Sequence, residues 1–111
     1  MATHNQGSYL QFFVHENRRH AGQLLYEWLL EQAKAMGIPR GAVFRATADF
    51  GRRRVLHEQP FFELAGEITA RVDFLVTADE KAALLQRVDA EKLKIPYAAF
   101  PAEYGVTQGG D

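Results

Sequence analysis

The segment from Ile68 to Val76 places more limits on the fold than any other part of the chain. Ile68, Ala70, Val72, Phe74 and Val76 alternate with Thr69, Arg71, Asp73 and Leu75. Side chains on a strand point to opposite faces with a period of two, so this run describes a strand with one apolar face and one mixed face. The chain must therefore supply a layer for the apolar side of a sheet while leaving the other side without helices. Tyr9–His15 repeats the pattern, with Leu10, Phe12 and Val14 on one side and Tyr9, Gln11 and Phe13 on the other.

The covering layer is readable as two helices. Between Gly22 and Met36, Leu25, Trp28, Leu29, Ala33 and Met36 recur at helical spacing, with Gly37 as a left-handed stop and Pro39 preventing continuation. Thr77 opens a capping box with Glu80, and Leu84, Leu85 and Val88 give a second buried stripe running to about Ala90. Gly41–Ala48 is a short strand. Ile95–Tyr104 contains Pro96 and Pro101, which suits an edge or irregular strand. The element order is βαββαβ, and the expected class is α+β: a ferredoxin-like four-stranded antiparallel sheet with two helices on one face. Residues 9–106 form the domain, flanked by a flexible start (1–8) and a flexible tail (107–111).

Composition narrows the functional classes. Thirteen Lys and Arg against fourteen Asp and Glu leave no bulk attraction for nucleic acid or anionic membranes. There is no cysteine, which excludes disulfides, thiolate zinc sites and thiol nucleophiles and suits a cytoplasmic protein. No apolar run approaches a membrane span, and the polar MATHNQGS start is not a signal peptide. Ser8 is the only serine and no carboxylate pair has catalytic spacing, so the expectation is a protein without enzymatic activity or a required cofactor. His15, His20 and His57 form no metal-binding pair on one element.

Two segments carry candidate binding chemistry. Asp49–Glu63 (DFGRRRVLHEQPFFE) interrupts two strands for fifteen residues, a length usual for functional loops. Within it, Gly51, Arg52, Arg54 and His57 could surround a phosphate or carboxylate, or could equally be a solvated hairpin end offset by Asp49, Glu58 and Glu63. Arg18, Arg19, His20 and Gly22 precede the first helix and form a second anion-site candidate, against the simpler reading of a polar turn in which Asn17 or a neighbour caps the helix. On the sheet face opposite the helices, Tyr9, Gln11 and Phe13 lie with Thr69, Arg71, Asp73 and Leu75. That mixture suits a subunit interface, although an ordinary half-polar outer face has a similar composition.

The segment HAGQLLYEWLLEQAKAMGI, with His20, Gly22, Leu25, Tyr26 and Glu27, resembles the opening motif of the family called domain of unknown function 190. FRATADFGRRRVLH resembles a later motif of the same family through Arg45, Phe50, Gly51 and His57, with Asp49 standing where that family usually has a glycine. The family is similar to PII-like signalling proteins. The resemblance implies a trimer with its open sheet faces turned to a three-fold axis, and residues 49–63 as a loop that reaches a partner. The implied ligand is a small anionic metabolite, most often an adenine nucleotide, held in clefts between subunits near the loop's base. Lys92 and Lys94 join Arg52 and Arg54 as phosphate-binding candidates, and the partner would be a membrane transporter or an enzyme. A metal-associated trimer resembling the divalent-cation tolerance proteins is the alternative, as is a ligand-independent interaction module.

Overall fold

A computed structural model describes residues 3–49 and 68–110. Its elements are β1 (Thr3–His15), a small hairpin of β2 (Arg19–His20) and β3 (Gln23–Leu24), α1 (Leu25–Ala35), β4 (Gly41–Arg45), β5 (Thr69–Val76), α2 (Ala78–Ala90) and β6 (Tyr97–Val106). The large sheet has the order β4-β5-β1-β6 and every pairing in it is antiparallel. Apart from the hairpin this is the expected ferredoxin-like βαββαβ arrangement.

Binary patterning decides which face the helices cover. Leu10, Phe12 and Val14 of β1 and Ala70, Val72, Phe74 and Val76 of β5 are all buried, against Leu25, Trp28, Leu29 and Ala33 of α1 and Leu84 and Val88 of α2. Phe12 and Phe74 meet edge to face with centroids 6.2 Å apart, a favoured aromatic geometry. Both helices end in the same six-residue closure. In α1, Ile38 N–H donates to Ala33 O (3.0 Å) and Gly37 N–H to Lys34 O (3.0 Å), with Gly37 at φ 84°. In α2, Leu93 N–H donates to Val88 O (3.4 Å) and Lys92 N–H to Asp89 O (2.9 Å), and here the left-handed position is held by Lys92 at φ 58°. At the start of α2, Thr77 and Glu80 make the reciprocal capping box read from TADE.

Three expectations are corrected. The first strand begins at Thr3 rather than Tyr9, so residues 3–8 are not a loose start: they pair with Pro101–Val106 as a two-stranded ribbon past the end of β5. Apolar alternation is absent there because the ribbon extends beyond the core, and backbone pairing alone sets its register. The last strand likewise runs to Val106 and accommodates Pro101 opposite Ser8 on a sheet edge. Gly105 allows that pairing, since a Cβ there would lie 1.9 Å from Thr3 O. Finally, α1 starts at Leu25, not Gly22. Residues 22–24 belong to the hairpin, whose two loop residues, Ala21 (φ 53°) and Gly22 (φ 81°), adopt the positive φ that matches the twist of paired strands. The N-cap residue Leu24 offers no side-chain cap, and Leu25 N–H donates to Arg18 O (2.7 Å).

Candidate functional site

One end of the sheet gathers most of the candidate residues that the structure describes. His15 opposes Thr69, Arg45 opposes Ala70, and Phe12 opposes Tyr97, so the ends of β1 and β4 and the beginnings of β5 and β6 lie together. The hairpin and the α2–β6 connection join them, because Phe13 N–H donates to Pro96 O (2.9 Å) and Arg18 N–H to His15 O (3.0 Å).

The first part of this end is the base from which residues 50–67 depart. Asp49 accepts hydrogen bonds from the Thr69 amide (3.1 Å) and the Thr69 hydroxyl. Ala46 N–H donates to Thr69 O (2.9 Å) and Glu16 N–H to Ile68 O (2.8 Å). Arg45, one of the motif residues, pairs its Nε with Glu16 at 2.6 Å, and the hydrogen bond to that carboxylate holds the guanidinium more firmly protonated still. Asp49 thus serves as a tie across the base. Gly51, Arg52, Arg54 and His57, with the rest of the 49–63 segment after Asp49, lie outside the described residues.

The second part is a junction between the hairpin and the end of α2. His20 Nε2 lies 2.9 Å from Glu91 Oε1, and Arg87 Nη1 donates to Glu91 Oε2 at 2.7 Å. Glu91 titrates below the usual carboxylate range because Arg87, and then His20, hydrogen-bond its charged form. Arg87 also reaches Gln32 Oε1 (3.1 Å) and lies over the Trp28 ring at 5.2 Å, while His20 meets the same ring edge-on at 4.9 Å. Trp28 is core, as its spacing implies, but its ring is also the surface on which the junction closes. Arg87 and Glu91 escaped sequence reading; their i,i+4 spacing was the available signal.

The four residues of the second anion candidate therefore do not converge on a helix start. Arg18 donates through Nη1 to Lys94 O (3.0 Å), Arg19 through Nη2 to Gly22 O (2.9 Å), and His20 faces Glu91. The physical reason is the hairpin, which moves the beginning of α1 three residues on and turns His20 toward α2. What the structure does bring together is Arg18 with Lys94, one from each of the two candidate groups, with exposed Lys92 nearby in the same connection.

The third feature is the sheet face opposite α1 and α2. Asp73 is only 6 % exposed there, although no element among the described residues covers it. Its carboxylate accepts from the Tyr9 hydroxyl and from Arg71 Nε (2.8 Å), and Arg71 lies over the Phe44 ring at 4.9 Å. The hydrogen bond to Asp73, then burial, pushes the Tyr9 phenol above its ordinary value. Tyr9, Arg40, Ala42, Phe44, Asp73 and Leu75 line a hollow of about 200 Å³ on this face. Among the described residues, no group of three or more His, Cys, Asp or Glu side chains could hold a metal ion, and no helix is long and apolar enough to cross a membrane.

A four-stranded antiparallel sheet with two helices on one face defines the ferredoxin-like α+β class. The crystal structure of a candidate PII-like signaling protein from Thermus thermophilus has this fold, with a TM-score of 0.57 at 18% sequence identity over 93% of this chain and 91% of that one. Residues 7–94 match the DUF190 model, described as "Uncharacterized ACR". A UPF0166 protein of Aquifex aeolicus (strain VF5) is 31% identical over 72 residues, which are 65% of this chain and 68% of that protein. The chain belongs to the DUF190 family, as the motif around His20, Gly22, Leu25, Tyr26 and Glu27 implies.

Proposed function

We propose that this is a PII-like regulatory protein that senses a small anionic metabolite, an adenine nucleotide first among them, and signals to a protein partner through the 49–63 segment. The observation that carries the reading is the clustering at one end of the sheet. The base of that segment, tied by Asp49 and Arg45, shares this end with Arg18, Lys94 and Lys92. Arg52 and Arg54 add cations from the segment itself by sequence. A phosphate would displace the Lys94 carbonyl as the acceptor for Arg18, since a charged acceptor hydrogen-bonds a guanidinium more strongly than a neutral carbonyl does. A ligand that binds one arrangement of these elements better than another shifts the population between them, and a partner reads the result.

The mixed outer face supports assembly of several copies, a trimer in this reading, with the ligand in clefts between subunits. The partner is a transporter or an enzyme, the protein acts in the cytoplasm, and it binds no nucleic acid. No step of the mechanism is catalytic and no resident cofactor is needed.

A thermal-shift screen against AMP, ADP, ATP, cyclic nucleotides, bicarbonate, phosphate and divalent metals tests this, with hits confirmed by calorimetry. A ligand at one hundred times its Kd stabilises the native state by about 2.7 kcal/mol. The expected result is a nucleotide-selective shift that disappears in the Arg52→Ala, Arg54→Ala double variant while its melting temperature without ligand is unchanged. A shift with metals alone would favour the metal-associated alternative, and no shift with any compound would leave a ligand-independent interaction module.

A further inference from the structure

We propose that the hollow between β4 and β5 binds a small carboxylate with a compact apolar body, of the benzoate or arylacetate kind, and that Arg40 holds its carboxylate group. This site is separate from the one in the nucleotide reading. The hollow lies where β4 begins and β5 ends, with Gly41 opposite Phe74, whereas Arg45 and Ala70 mark the end of the sheet shared with Arg18 and Lys94. Local sequence makes the depression. Arg40, Ala42 and Phe44 are spaced by two, so they share a face with Asp73 and Leu75 of β5. Ala42 presents one methyl between two large side chains, and Asp73, its cross-strand partner, is drawn aside to Arg71 and the Tyr9 hydroxyl. The space left is about 200 Å³. A cavity of roughly 150 Å³ lined by apolar side chains accepts benzene, so a phenyl ring fits this one by size.

Charge selects among the compounds that fit. Both Asp73 oxygens are engaged within the chain, and Arg71 balances the Asp73 charge. Arg40 is exposed, lines the hollow, and makes no hydrogen bond or ion pair with any described residue. Arg40, Arg71 and Asp73 together therefore leave one positive charge beside walls of hydrocarbon from Ala42, Phe44 and Leu75. A guanidinium binds a carboxylate through two parallel hydrogen bonds, which fixes orientation as well as adding affinity. A neutral aromatic compound would leave Arg40 unpaired, and a carboxylate without an apolar body would leave the walls in water. A ligand with both parts uses the whole site.

Titration of the purified protein with benzoate, phenylacetate, benzamide and acetate, followed by amide NMR shifts, tests this. Benzoate or phenylacetate should shift residues 40–44 and 73–75, with benzamide and acetate binding more weakly. Arg40→Gln should weaken carboxylate binding roughly tenfold, the lower end for a hydrogen bond to a charged group because Arg40 is exposed, and bring benzoate to the level of benzamide. Ala42→Ile fills the hollow with a side chain suited to a strand and should abolish binding of every compound while the circular dichroism stays unchanged. The Arg52→Ala, Arg54→Ala double variant should bind benzoate as the parent does, which separates this site from the nucleotide reading. No shift with either aromatic carboxylate, shifts centred elsewhere, or benzoate affinity unchanged in Arg40→Gln would each overturn the proposal and leave the nucleotide reading untouched.

Discussion

Replacing Lys92 with glycine should stabilise this protein. Lys92 sits at φ 58° in the left-handed position that closes α2, the place held in α1 by Gly37 at φ 84°. For a residue with a Cβ that conformation costs about 1–2 kcal/mol, which glycine avoids. Glycine also leaves the unfolded chain freer, which offsets about 0.4–1 kcal/mol of the gain. The net is about 0.5–1 kcal/mol, or roughly 2–6 °C in Tm for a domain of this size. Gly37→Ala is the mirror experiment. An added Cβ meets nothing within 4 Å, so only the backbone resists it, and a loss of about 1 kcal/mol is expected. Urea denaturation of both variants measures the changes directly, with unchanged m-values showing that only stability moved. A Lys92→Gly protein no more stable than the parent would refute the strain argument. The same variant probes function, because strained residues persist where their side chains are needed. If Lys92 contacts the anionic ligand, Lys92→Gly gains stability while losing nucleotide affinity. Equal affinity in both proteins would remove Lys92 from the site.

Two pH-dependent effects follow from the other clusters. Tyr9 titrates above its ordinary value when folded, so its contribution is complete below pH 10 and is lost as pH rises beyond the unfolded value. Tyr9→Phe should remove that part of the alkaline loss in a melting series from pH 8 to 11, and an unchanged alkaline limb would contradict the Asp73 hydrogen bond as its source. Glu91 titrates below its ordinary value, so its contribution is present above the normal carboxylate range and is lost as pH falls through the depressed value. Glu91→Gln should flatten the acid limb between about pH 5 and 3, relative to a reference carboxylate near 4.3, and an identical limb would show that the junction with His20 and Arg87 adds nothing to folding.

Which parts of the molecule sequence could reveal depended on whether the core enforced them. The β1 and β5 alternations, the stop at Gly37 and the Thr77–Glu80 box are local patterns coupled directly to burial or capping, and each is found where it was read. The ribbon of Thr3–Ser8 with Pro101–Val106 escaped because polar residues hold it through backbone pairing, which leaves no hydrophobic period. The hairpin escaped because Leu24 and Leu25 continue the apolar spacing of α1 across a change of backbone state. Among the candidate site residues, individual cations were identifiable but their companions were not. The contact between Arg18 and the Lys94 carbonyl spans most of the chain and has no local signature.

The family motif itself acquires a physical meaning here that bears on where function resides. Gly22 supplies one of the positive-φ positions of the hairpin, Leu25 is fully buried at the start of α1, and His20 is engaged by Glu91 and set against Trp28. Each of these three residues fixes the hairpin, α1 or α2 relative to a neighbour. Arg45, from the second motif, does the same at the base of the 50–67 segment through Glu16. A scaffold held this firmly at one end of the sheet can present Arg18, Lys92 and Lys94 in fixed positions, so the specificity of any ligand there depends on residues outside these four motif positions. Substitution of His20 or Gly22 should therefore disturb stability first and ligand affinity only through it. Substitution of Lys94 should act on affinity alone, because its structural contact is made by the backbone carbonyl and survives removal of the side chain.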